Sequence, residues 1–162
     1  MHVLNFEIKN LDDTALDVQT VCQYEISNYL TDAGLYKFFR IPWADALDTG
    51  QFIAGDSRQY PLYFWAASDT VSESIEILVP TDYEPVDLIG EVRLSSPFAN
   101  YHVKLDYLNG HIKGERTIYY KDSIIEPDEY AEFKAFYSKV ISEDNRQILL
   151  KKRELEIVQK EP

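Results

Sequence analysis

Apolar and polar residues alternate along much of the chain, and the alternation marks strands before any other feature does. Residues 16–27 carry the clearest case: Leu16, Val18, Thr20, Cys22, Tyr24 and Ile26 share one phase, while Asp17, Gln19, Gln23 and Glu25 fall in the other. Leu4, Phe6 and Ile8 alternate just before it, and Asn10-Leu11-Asp12-Asp13 supplies turn-forming residues between the two. The pattern predicts an N-terminal pair of strands with Cys22 on the inward face.

Residues 36–41 predict another strand, ended by Pro42, and residues 43–58 contain Gly50 and Gly55 without a sustained period, which predicts a long loop. Residues 60–67 are aromatic and strand-like, with Pro61 pointing to an edge or a strand start because it cannot donate to a ladder. Val71, Glu73, Ile75, Ile77 and Val79 then alternate with Ser72, Ser74, Glu76 and Leu78.

The strongest local signal lies at Asn109-Gly110, the pair that a two-residue type I′ turn demands at positive φ. Pairing outward from this turn sets Leu108 against His111, Asp106 against Lys113 and Lys104 against Glu115. Tyr107 meets Ile112 and Tyr101 meets Ile118 on the opposite face. Opposite charges on one face and aromatic–aliphatic pairs on the other suit a ribbon buried on one side.

After Ile125 the period changes to that of a helix. Pro127 suits a first helical turn, Asp128 and Glu129 complement the helix dipole, and Tyr130, Phe133, Tyr137, Val140 and Ile141 follow helical spacing. A helix is expected over 127–143. Ile148-Leu149-Leu150 suits either a helical extension or a last strand, and a break near Glu143-Asp144-Asn145 favours the strand.

About eight short strands and one late helix predict a mainly β fold: an antiparallel β-sandwich, immunoglobulin-like in general architecture, with one C-terminal α-helix. Residues 1–150 are expected to form a single domain, and 151–162 a charged tail.

Composition narrows the function more than it identifies it. At 162 residues the chain is long enough to bury one core without a metal or disulfide. Its formal net charge of −12 makes nucleic acid and anionic membrane surfaces poor partners, because both draw affinity from Lys and Arg. No run of apolar residues approaches a membrane span, and Met1-His2-Val3 lacks the charged and apolar regions of a signal peptide.

Cys22 is the single cysteine, so no internal disulfide or cysteine-based metal site forms, and its place in a strand makes it a small hydrophobe rather than a nucleophile. His2, His102 and His111 share no metal-ligand spacing, and Asp45, Asp48 and Asp56 do not follow a calcium-loop pattern. The sequence also lacks G-x-S-x-G, G-x-G-x-x-G and a phosphate loop. No cofactor, metal site or catalytic residue is expected.

The candidate ligand-binding residues are aromatic. Trp43, Tyr60, Tyr63 and Trp65 flank the long loop and form a set that can stack on sugar or anchor a protein partner. They are equally compatible with core packing, since Tyr60 and Phe64 fall on one face and Tyr63 and Trp65 on the other.

Residues 71–150 also carry an ordered series: Pro80-Thr81-Asp82-Tyr83, Val92-Arg93-Leu94, residues 98–101, Gly110, Arg116, Ile125-Glu126-Pro127, Tyr130, Phe133, Phe136-Tyr137 and residues 144–148. In this series the chain resembles the C-terminal domain of unknown function that follows a transglutaminase-like domain in large exported bacterial proteins. The resemblance implies a non-catalytic accessory module whose partner is that neighbouring domain, which holds the catalytic Cys, His and Asp. It also implies a periplasmic or extracellular setting. A stand-alone module binding glycan or peptide through the Trp43 and Trp65 region is the alternative.

Overall fold

The computed structural model describes residues 1–47, 55–64, 70–88, 90–121 and 123–153. Over these the chain runs through β1 (His2–Lys9), β2 (Gln19–Glu25), β3 (Thr31–Ala33), β4 (Tyr36–Arg40), β5 (Leu62–Phe64) and β6 (Thr70–Leu78). It continues through β7 (Tyr83–Pro85), β8 (Glu91–Ser95), β9 (Ala99–Leu108), β10 (His111–Tyr120), β11 (Ser123–Ile125), α1 (Tyr130–Asp144) and β12 (Gln147–Lys152). The fold is mainly β, with antiparallel sheets and, among the described residues, one helix.

Two compact units divide the chain, Met1–Thr31 and Asp32–Pro162. In the first, β1 and β2 form an antiparallel ribbon. Asn10 takes a positive φ of 63° and its side-chain amide, through Nδ2, donates to the Asp17 carbonyl at 2.9 Å, which closes the turn between the strands. A register shift between Val3 and Asn5 sets Val3 opposite Tyr24, Phe6 opposite Cys22 and Ile8 opposite Thr20, so these six share a face. An N-terminal strand pair forms as expected, but β2 covers residues 19–25 rather than 16–27, and the register shift puts Val3 instead of Leu4 on the face of Phe6 and Ile8. The inward position of Cys22 is not observed: Cys22 is exposed, as are Val3, Phe6 and Ile8. A two-stranded ribbon has an apolar face but no second layer of its own to cover it.

In the second unit, β6-β10-β9-β8 form one four-stranded sheet and β3-β4-β12-β7 another, while β11 pairs with β5. Asn109 and Gly110 both take positive φ, 53° and 83°, and β9 and β10 pair outward from them in the predicted register, from Leu108 opposite His111 to Tyr101 opposite Ile118. One face of this ribbon is buried: Tyr101, Val103 and Leu105 of β9, with Ile112, Gly114, Arg116 and Ile118 of β10.

The helix begins at Tyr130, three residues later than Pro127 predicts. Residues 127–129 belong to a turn closed from both sides, the Glu129 amide donating to the Glu126 carbonyl at 3.0 Å and the Glu126 amide to the Glu129 carboxylate at 3.0 Å. Tyr130, Phe133, Phe136, Tyr137 and Val140 bury one side of α1. Their rings pack closely: Phe133 lies 4.6 Å from Tyr137 and 5.5 Å from Phe98, centroid to centroid. Ile141, part of the predicted stripe, is only half-buried, whereas Phe136, outside it, is buried.

Asn145 ends the helix, its backbone amide and its side-chain amide both donating to the Ile141 carbonyl, at 3.1 and 2.9 Å. The chain then enters β12, a strand as the break at 143–145 favours, which continues through Lys151 and Lys152, past the predicted start of a tail. Ile148 and Leu150 are buried, and β12 pairs with β4 on one side and β7 on the other.

Candidate functional site

Arg116 falls in the apolar phase of β10, between Gly114 and Ile118, and is completely buried. A buried guanidinium must find acceptors, because desolvation of an unpaired charge costs several kcal/mol. Asp144, in the last turn of α1, supplies them. Arg116 Nε donates to Asp144 Oδ1 and Nη2 to Oδ2, each at 2.8 Å, a two-point pairing that matches the planes of the two groups.

Two further donors complete the carboxylate. The Tyr101 hydroxyl donates to Oδ1 at 2.8 Å and the Leu47 backbone N–H to Oδ2 at 3.1 Å. Asp144 thus accepts four hydrogen bonds, about the capacity of an ionised carboxylate. The remaining guanidinium nitrogen, Nη1, lies 3.2 Å from Glu73 Oε2 on the neighbouring strand β6, and Glu73 Oε1 accepts from the Asp45 N–H at 2.9 Å. The guanidinium also stands 5.8 Å from the centre of the Tyr101 ring.

Protonation states follow from this geometry. Burial, the largest single influence, opposes the charge on Arg116, but the hydrogen bond and charge of Asp144 together with the charge of Glu73 outweigh it, and the guanidinium is held charged above its ordinary range. Burial, then the negative charge of Asp144, pushes the Tyr101 phenol above the usual tyrosine value. The hydrogen-bonding capacity of Asp144 is therefore filled from within the protein. The cluster ties β6, β9, β10, the end of α1 and residues 45–47 together.

The aromatic candidates are dispersed in their exposure. Trp43 is buried, with 8% of its surface accessible. Its indole approaches β10 at Gly114, where a Cβ would stand 2.9 Å from Trp43 Cη2. Tyr60 and Tyr63 are 76% and 58% exposed, and Tyr63 sits across from Ile124, also exposed, in the β5–β11 pair. Trp65 lies outside the described residues.

A shallow depression beside Trp43 has an apolar lining that includes Ile41, Val92, Leu105 and Ile148. The polar residues at it, Glu143 and Arg146, bond to each other.

His102 and His111 lie on the polar side of the β9–β10 ribbon and face different carboxylates, Glu91 at 2.8 Å and Glu76 at 2.9 Å. Lys134 of α1 pairs with Asp56 at 2.7 Å and donates to the Gly55 carbonyl at 2.9 Å, holding the Asp56 carboxyl below its ordinary range. Asp45 takes part through its backbone in the Arg116 cluster, and Asp48 lies outside the described residues. Among the described residues, no group of three or more His, Cys, Asp or Glu side chains is placed to hold a metal ion. Among them also, no helix is long and apolar enough to cross a membrane.

Sequence reasoning did not assemble the Arg116 cluster. Its signal was present: Arg116 and Glu73 both occupy apolar phases of their strands, and opposite charges in such positions require a buried partner.

Comparison with known proteins places residues 34–150 within the family model described as "Domain of Unknown Function with solved-structure structure (DUF3858)". No curated protein matches the chain. Among solved structures, the chain is similar to a crystal structure described as "a putative protease from Parabacteroides distasonis ATCC 8503", with 17% identity and a TM-score of 0.56. The likeness covers 72% of this chain and 23% of that one. At this identity the likeness is one of fold.

Proposed function

The chain belongs to the DUF3858 family of domains of unknown function, and from that premise we propose that it is a non-catalytic accessory module that packs on or positions a neighbouring transglutaminase-like domain of the same parent protein. The observation that carries this reading is the use made of its most concentrated polar chemistry. Arg116, Asp144 and Tyr101 are buried and bonded to one another, so they serve cohesion between elements and offer no group to a substrate. A likeness that spans 23% of a much longer chain also fits a module working within a larger protein.

The transglutaminase-like neighbour rests on the ordered residues from Pro80 to Ile148 noted in the sequence, and with it come a bacterial, exported parent and a periplasmic or extracellular setting. The finer architecture proposed is an immunoglobulin-like sandwich. Its support is that the depression beside Trp43 is lined from both four-stranded sheets, by Val92, Val103 and Leu105 on one side and Ile148 on the other.

Titration of the purified chain into the separately purified transglutaminase-like domain, followed by calorimetry, tests the proposal. Saturable binding at one-to-one stoichiometry is expected. Absence of binding in this format, together with independent unfolding of the two when covalently joined, removes it.

A second reading is favoured by the exposure of Tyr60 and Tyr63: a stand-alone module that binds glycan or peptide at an aromatic surface. Oligosaccharide or peptide binding lost in the Tyr60→Ala, Tyr63→Ala double variant, with stability retained, supports it over the first.

A further inference from the structure

We draw no further inference here: the strongest candidate, the exposed apolar face of the β1–β2 ribbon formed by Val3, Phe6 and Ile8, is a sheet face for which nothing in the structure shows what covers it.

Discussion

Arg116 and Asp144 meet through two parallel hydrogen bonds of 2.8 Å with neither side chain exposed to solvent. Both charges have left water, so removing one strands the other. Among the described residues, Asp144→Ala leaves the buried guanidinium with Glu73 as its remaining carboxylate partner and deprives the Tyr101 hydroxyl and the Leu47 N–H of their acceptor. Breaking a buried pair in this way costs about 3–5 kcal/mol. Urea denaturation of the variant is expected to show a loss of that size, and a loss below about 1 kcal/mol would mean that the cluster is not cohesive.

Gly114 and Gly110 should fail for opposite reasons. A methyl group at Gly114 would stand 2.9 Å from Trp43 Cη2, 3.0 Å from Ile75 Cγ2 and 3.1 Å from Leu105 Cδ2, so Gly114→Ala overpacks the core at a cost of about 1–3 kcal/mol. At Gly110 nothing lies within 4 Å of the added atom, but φ is +83°, so Gly110→Val pays in backbone strain, again about 1–3 kcal/mol. Trp43→Phe should relieve part of the first penalty, leaving the Ile75 and Leu105 contacts, and should leave the second unchanged. A double-mutant cycle that finds additivity for Trp43 with Gly114 would contradict the proposed contact.

Phe133 is fully buried between Phe98 and Tyr137, whereas Glu132 and Lys139 on the same helix are exposed. Phe133→Ala is expected to cost about 3–5 kcal/mol, and Glu132→Ala or Lys139→Ala no more than about 0.5 kcal/mol. Comparing the three denaturation midpoints checks whether α1 is integral to the second unit; equal midpoints would show that it is detachable.

What the sequence disclosed depended on how local the cause was. The β9–β10 register follows from Asn109-Gly110 and the alternation beside it, so the pairings from Leu108–His111 out to Tyr101–Ile118 are legible in the local sequence alone. The Arg116 cluster joins residues 28 and 43 positions apart, and only the tertiary fold brings Asp144 and Glu73 to the guanidinium. For Cys22, alternation identified the apolar face of its strand correctly; whether another layer covers a face is not encoded in the strand's own period. Trp43 stands in a stretch without periodicity, and its burial depends on the missing Cβ of a glycine in a distant strand.

Alkali should unfold the protein through its buried phenols. Tyr101 and Tyr137 are pushed above the ordinary value of about 10 by burial, with the Asp144 charge adding at Tyr101 and Tyr120 at Tyr137. A group whose folded pKa is raised contributes stability that is full below its unfolded pKa and is lost as pH rises towards the folded value. The melting temperature is therefore expected to fall as pH rises above about 10, with the two phenols ionising only on unfolding. Smooth native-state titration of all twelve tyrosines near pH 10 would contradict it.

Scanning calorimetry of this chain covalently joined to the transglutaminase-like domain of its parent tests the accessory-module reading most directly. Packing of one on the other predicts that the neighbour melts at a higher temperature joined than alone, because an interface formed only by the folded partner stabilises it. The effect should shrink when Phe133→Ala destabilises this domain. Two transitions at the temperatures of the separate domains, unaffected by that substitution, would contradict the proposal.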